Sequence, residues 1–375
     1  MLKKGAVLQT RYRILDTLTD KGGMGVVYLA TDLEMENTVV IKQSIINDVE
    51  SLRQNKNYRR MADEELRDIV EASRKAFERE AKLLYGLRHN ALPRVSHYFA
   101  GTDGEQFFVM DYVRGDDLSE LLNDRLRQNQ GPFPCKTVLD WADQVLDALH
   151  YLHTAFGEPI VHRDIKPANL KLTPKGQIVL LDFGLAKGVR PGMAAAESIL
   201  AGTEEYAPIE QLDEDENARQ KSDPRSDLYS LAITLHHLLS GQLPAKTISR
   251  VSAKAQNTPD PLRPIHELVP EVRESVSAVL QRAGAVFAKD RLKTAAEMRQ
   301  LLREAVASTP PVITSHSEPE METVVRHKRN IVVSLVDEAP KPVAEIEEYA
   351  PKPATQTRQQ SGWLKNLLGS VTSSL

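Results

Sequence analysis

The sequence predicts an α+β protein on three observations. Strand-like runs crowd the first third of the chain: Tyr12–Leu15, Val26–Leu29, Val39–Lys42, Val95–Phe99 and Gln106–Met110, with glycine-bearing turns after the first and fourth. Longer apolar patterns at helical spacing follow over 116–128, 134–156, 271–282 and 294–306. Between them, residues 162–184 read as loop, strand, turn, strand, loop, with Thr173-Pro-Lys-Gly176 as the turn and Ile178–Leu181 as a buried strand. The 375 residues suffice for two or three folding units, and 41% hydrophobic with 27% charged residues is ordinary for a globular chain. A net charge of −4 argues against a nucleic-acid binder or a broad anionic-membrane binder. The single cysteine, Cys135, excludes an internal disulfide framework and fits a reducing compartment; before an apolar helical run it reads as an inert small side chain. The start, Met1-Leu-Lys-Lys-Gly-Ala, lacks a signal-peptide core, and no apolar run approaches the ~18 residues that cross a bilayer, so the expected location is cytoplasmic.

The chemistry concentrates in His162-Arg-Asp-Ile-Lys-Pro-Ala-Asn169 and Asp182-Phe-Gly184. Two loops flanking short strands can aim Asp164, Lys166, Asn169 and Asp182 into one cleft. Phosphoryl transfer needs such a set. Asp164 can accept a proton from an attacking hydroxyl, and Lys166 can neutralise charge on the moving group. Asn169 and Asp182 offer hard oxygen ligands to Mg2+.

This run resembles the catalytic loop and metal-binding motif of the Hanks-type (eukaryotic-like) protein kinases, in the style of bacterial members. Lys-Pro-x-Asn after His-Arg-Asp is the form of the Ser/Thr-directed members. The resemblance covers about residues 12–305. It implies a two-lobed kinase-like fold, with a small antiparallel-sheet N-lobe over 1–113 and a mainly helical C-lobe over 114–305. The implied activity is transfer of the γ-phosphoryl of ATP, with Mg2+ or Mn2+, to Ser/Thr hydroxyls of protein substrates, and to the kinase itself. A pseudokinase scaffold is the rival reading; Lys42, Asp164, Asn169 and Asp182, the residues that discriminate, are all present.

In chain order, the resemblance makes Thr19, Gly22, Gly23, Gly25 and Val27 the nucleotide-covering loop, where glycines let backbone N–H groups approach phosphates. The family's first glycine is replaced by Asp20, which predicts weaker ATP affinity. Lys42 requires an acidic partner. Glu80, in a helical pattern from about Asp63 to Leu87, is chosen by family spacing and not by its own surroundings. Residues 47–62 make the chain longer than most relatives; they read as an exposed insertion, either a regulator contact or a tolerated surface loop. Met110, Asp111 and Val113 resemble the hinge that holds the adenine. Asp116 or Asp117 either reaches the ribose or caps the next helix. Trp141, within the apolar pattern of 134–156, reads as core.

Beyond Gly184, the resemblance makes Leu185–Tyr206 an activation segment, with Thr203 bonding Lys166 and Asp164. Arg163 implies that a phosphate orders it, and Ser198 or Thr203 is the candidate acceptor; a constitutively ordered segment is the alternative. Pro208-Ile209-Glu210 replaces the family's Ala-Pro-Glu, and Glu210 is expected to pair with Arg291, while Asp227 braces the catalytic loop. Lys171 stands where the family has an apolar residue beneath the adenine; its methylene stem can still cover apolar surface. Residues 306–361, proline-rich and without glycine, read as a disordered linker. The tail, 362–375, places Trp363, Leu364, Leu367, Leu368 and Val371 on one helical face, and docking a partner protein, lying at a membrane interface or fraying remain open.

Overall fold

The computed structural model describes residues 2–19, 25–44, 48–53, 58–101, 104–183, 204–212 and 222–307. Its first lobe is one antiparallel sheet of β1 (Val7–Leu8), β2 (Tyr12–Thr19), β3 (Val26–Asp32), β4 (Asn37–Gln43), β5 (Val95–Ala100) and β6 (Gln106–Asp111), in the order β1-β2-β3-β4-β6-β5. Alternation along β3 buries Val26, Tyr28 and Ala30 against Tyr12, Ile14, Ile41, Phe107 and Val109. After β4 come α1 (Val49–Arg53) and α2 (Asp63–Gly86), with α1 packed on α2 and α2 on β5 and β6. The C-terminal half of α2 sends Phe77, Ala81 and Leu84 into the main core, where Phe77 meets Phe108 at 5.2 Å between ring centroids.

The second lobe is mainly helical: α3 (Leu118–Arg127), α4 (Cys135–Thr154), α5 (Ile209–Leu212), α6 (Pro224–Ser240), α7 (Thr247–Ala255), α8 (Ile265–Leu268), α9 (Glu274–Ala283) and α10 (Ala295–Ala307). A three-stranded sheet, β7 (Asp116–Asp117), β8 (Leu170–Leu172) and β9 (Ile178–Leu180), lies at its upper edge. Helix α6 is buried nearly all round, its leucines and Ile233 interleaved with the buried polar side chains of Ser230, Thr234 and His236, and is bounded by a Pro224 start and a left-handed Gly241 stop. Trp141 is core, edge-on to Phe133 at 4.8 Å. Gly115 makes the turn into β7 possible: a Cβ there would lie 1.9 Å from the Leu172 carbonyl oxygen.

Three expectations need correction. Residues 47–62 are not a bare exposed insertion, because α1 buries Leu52 and the following turn buries Tyr58 against Leu66, Ile69 and Val70 of α2. The polar run Asn55–Arg60 masked an apolar spacing of Val49, Leu52, Tyr58 and Met61 that suits one helix face and a return turn. Helix α3 begins at Leu118, since Asp116 and Asp117 form a strand first; the Asp117 carboxylate then caps the helix, accepting from Glu120 N–H at 2.8 Å. Residues 306 and 307 belong to α10 and not to a linker. The remainder of the 306–361 linker and the 362–375 tail lie outside the described residues.

Candidate active site

Lys42 sits in the middle of the first sheet, paired in register with Val27 of β3 on one side and Phe108 of β6 on the other. Its neighbours leave the side chain only 3% exposed, with the ammonium 5.6 Å from the Phe108 ring centroid. Glu80 on α2 meets it, Nζ donating to Oε1 at 3.0 Å. Burial opposes the Lys42 charge, but Glu80, then Asp182, the Glu80 hydrogen bond and Asp164 together raise its pKa above the ordinary lysine value. Burial likewise pushes the Glu80 carboxyl up, opposed by Lys42 and reinforced by Asp182. Asp164 and Asp182, from the two loops that flank the β8–β9 hairpin, thus lie near enough to the buried ammonium to favour its charge.

The catalytic-loop residues are built from below. Asp227 on α6 accepts the backbone N–H groups of His162 (2.8 Å) and Arg163 (2.9 Å) and pairs with His153 Nε2 at 2.9 Å. Those bonds hold Arg163 at φ 68°, a left-handed setting that an unsupported arginine avoids. A 3-10 turn, Pro167–Asn169, then brings Asn169 back so that its amide nitrogen donates to the Asp164 carbonyl oxygen (2.7 Å) and carboxylate (2.9 Å). That leaves the amide oxygen of Asn169 as a ligand for a hard cation. Lys166 Nζ lies 3.3 Å from Asp164 Oδ2. Beyond β9, Asp182 adopts φ 55° and is exposed, while Phe183 is buried with its ring 4.6 Å from that of His162. The packed phenylalanine turns the adjacent carboxylate outward.

Among the covering-loop candidates, Gly25 has φ +147°, and a Cβ there would come within 2.5 Å of the Gln43 carbonyl oxygen. Thr19 ends β2, opposite Val27. Gly22 and Gly23, with Asp20, lie outside the described residues, as do Ser198 and Thr203. In the hinge, Met110 and Val113 are half-buried and Asp111 is exposed, its N–H given to the Arg94 carbonyl at 3.0 Å. Lys171 points along β8 to the hinge, its Nζ 5.9 Å from the Tyr112 ring centroid.

Glu210 and Arg291 form a forked pair, Nη1 to Oε1 at 2.6 Å and Nη2 to Oε2 at 3.1 Å. Several supporting residues carried no local signal. His153 behind Asp227 is 74 residues away in sequence, and Ser226, which donates to Glu210 at 2.6 Å, sits in an ordinary helix start. Arg163 is half-buried, which lowers its pKa, and among the described residues its Nε has no hydrogen-bond partner. Among the described residues no group of three or more His, Cys, Asp or Glu gathers around a point. A cation here would rest on Asn169, Asp182 and a ligand's own oxygens.

A model of the protein kinase domain matches residues 17–312. The chain belongs to the protein kinase family. This kinase is 30% identical over 320 residues to the serine/threonine-protein kinase PknA of Nostoc sp., covering 82% of this chain and 49% of that one. To the serine/threonine-protein kinase PknL of Mycobacterium tuberculosis it is 29% identical over 306 residues, covering 80% and 68%. The kinase thus spans about half the length of the Nostoc relative. The solved apo form of PpkA-294 is similar with a TM-score of 0.63 at 24% identity, covering 80% of this chain and 99% of that one. The PknI kinase domain of Mycobacterium tuberculosis gives 0.56 at 24%, covering 82% and 100%. Those two likenesses establish the two-lobed fold. No described helix of the kinase is long and apolar enough to cross a membrane.

Proposed function

We propose that the chain is a protein serine/threonine kinase that transfers the γ-phosphoryl of ATP to protein Ser/Thr hydroxyls. The observation that carries this reading is the convergence on Lys42 of Glu80, Asp182 and Asp164, which come from α2, the loop after β9 and the loop before the 3-10 turn. In this reading Lys42, oriented by Glu80, holds the α- and β-phosphates. Thr19, Gly22, Gly23, Gly25 and Val27 cover them, and Met110, Asp111 and Val113 line the adenine end. Asn169 and Asp182 hold Mg2+, or Mn2+, which when bound neutralises phosphate charge.

Asp164 accepts the proton of the incoming hydroxyl. Its second bond, to the Asn169 amide, fixes the carboxylate rotamer, and Lys166 beside it stabilises charge as it develops. Arg163, half-buried and with an Nε unpartnered among the described residues, suits an activation-segment phosphate on Ser198 or Thr203. Phosphopeptide mapping after incubation with Mg-ATP checks this, and modification of neither residue removes it. The C-terminal tail is assigned to a partner protein, and the location to the cytoplasm. These relatives' names, serine/threonine-protein kinase, support the Ser/Thr acceptor class. The test is incubation of the full chain with γ-labelled ATP and generic protein acceptors. Label should appear on Ser or Thr, and Asp164→Asn should keep only about 10⁻²–10⁻⁴ of the rate, the share a general base supplies. Full activity in Asp164→Asn would defeat the assignment.

A further inference from the structure

We propose that Lys171 is a further nucleotide-binding residue, whose ammonium holds one face of the purine by cation–π attraction. The contact presupposes the adenine end assigned above to Met110, Asp111 and Val113, and adds to it a cation from the second lobe. Lys171 is a charge set in apolar strands: Leu170 and Leu172 flank it on β8, and Ile178, Val179 and Leu180 make up β9 alongside. Alternation along a strand separates two faces. Leu170, Leu172, Ile178 and Leu180 pack in the main core, so Lys171 and Val179, which are in register, take the other face. That face looks to the hinge, where Lys171 Nζ stands 5.9 Å from the centroid of the Tyr112 ring. Tyr112 lies between Asp111 and Val113, and Val179 is only 7% exposed. The ammonium is therefore held in aromatic and apolar surroundings at the adenine end.

A neighbouring carboxylate does not claim it. Asp117 is paired with Lys171 across the strands, where Cβ atoms sit about 4.5–5.5 Å apart, close enough for an ion pair. The Asp117 carboxylate instead accepts the Glu120 N–H at 2.8 Å as the cap of α3. Among the described residues Lys171 has no ion-pair partner, and its half-buried ammonium keeps the π face of Tyr112 alone. A cation over one ring still attracts a second ring, because the attraction comes from each ring's quadrupole and needs no aligned donor. A purine seated along Met110–Val113 supplies that second face. Covering the ammonium costs solvation. That cost is reduced here because the head is already half-buried and the methylene stem lies on apolar surface. An apolar side chain at this position would offer the base packing alone.

The test is calorimetric titration of the full chain with ATP, adenosine, free adenine and magnesium tripolyphosphate, the last of which has no base. Lys171→Met keeps an unbranched stem and removes the charge. It should weaken ATP, adenosine and adenine by one common factor of about threefold to thirtyfold, the range of a cation–π contact, and leave tripolyphosphate unchanged. Lys171→Arg, which keeps a cation that stacks on rings, should bind adenosine as wild type does. Unchanged or tighter adenosine binding in Lys171→Met overturns the contact, as does a Lys171→Arg chain as weak as Lys171→Met. A loss on adenosine that spares adenine gives the ammonium to the sugar, and an equal loss on tripolyphosphate gives it to the phosphates or to a disturbed cleft. Both results overturn the purine contact, and all four leave the proposed function standing. A wild-type chain that binds neither ATP nor adenosine overturns the proposed function itself, and the Lys171 contact with it.

Discussion

Two ion pairs, one in each lobe, have opposite construction. Arg291 is saturated: besides the fork to Glu210 it donates to the carbonyls of Ala285 (2.8 Å), Val286 (2.8 Å) and Arg225 (3.3 Å), and its guanidinium stands 4.8 Å from the Tyr229 ring centroid. Glu210 in turn accepts from Ser226 Oγ. The Lys42–Glu80 pair is more deeply hidden, at 3% and 1% side-chain exposure, yet among the described residues it has one bond and a carboxylate oxygen without a partner. A saturated pair is a clamp, since every donor that moves leaves a buried carbonyl unpaired. An unsaturated one keeps capacity for a ligand and depends on outside elements for its geometry.

The largest effects should come from dismantling each pair completely. Lys42→Met with Glu80→Leu removes both charges together, so the fold should be as stable as wild type or firmer by about 1–4 kcal/mol, while phosphoryl transfer disappears. Arg291→Met with Glu210→Leu should instead destabilise the chain by more than about 3 kcal/mol, because buried carbonyls and Ser226 lose partners worth ~1–3 kcal/mol each. Urea unfolding and a transfer assay on both double variants measure the contrast. Equal stability changes would erase it.

A neutral, partly buried pair sharpens the comparison through pH. Tyr206 Oη and His237 Nδ1 lie 2.6 Å apart where the segment before α5 meets α6. Burial, then the neighbouring His236, lowers His237 from 6.5 to about 4. Between those values the folded chain binds fewer protons than the unfolded chain. Stability should therefore fall as pH drops from 6.5 toward 4 and level off below, and His237→Gln should flatten that stretch of the curve. Thermal unfolding at stepped pH reads it directly. The smallest effect concerns Asp117. As the observed cap of α3, its replacement by alanine should cost about 1 kcal/mol and leave the ATP KM unchanged. A raised KM would favour the ribose contact.

Much of the site was legible because its chemistry is packed into two short runs. Asp164, Lys166 and Asn169 lie within six residues, and Asp182 follows one strand hairpin later, so local geometry nearly forces them together. Glu210–Arg291 could be matched only through the resemblance, since 81 residues separate them and neither residue's neighbours mark it. His153 escaped for the same reason: a histidine on an amphipathic helix looks alike whether it faces solvent or braces an aspartate. The 47–62 segment hid its buried contacts for a different reason. Its contacts are local, but polar residues between Leu52 and Tyr58 diluted the apolar periodicity below notice.

One experiment bears on the cleft as a whole. Labelled ATP with Mg2+ and a protein acceptor is supplied to wild-type chain and to Asp182→Ala, an exposed position whose loss leaves the core untouched. Wild type should transfer label and Asp182→Ala should transfer none. Comparable labelling by both would contradict the account.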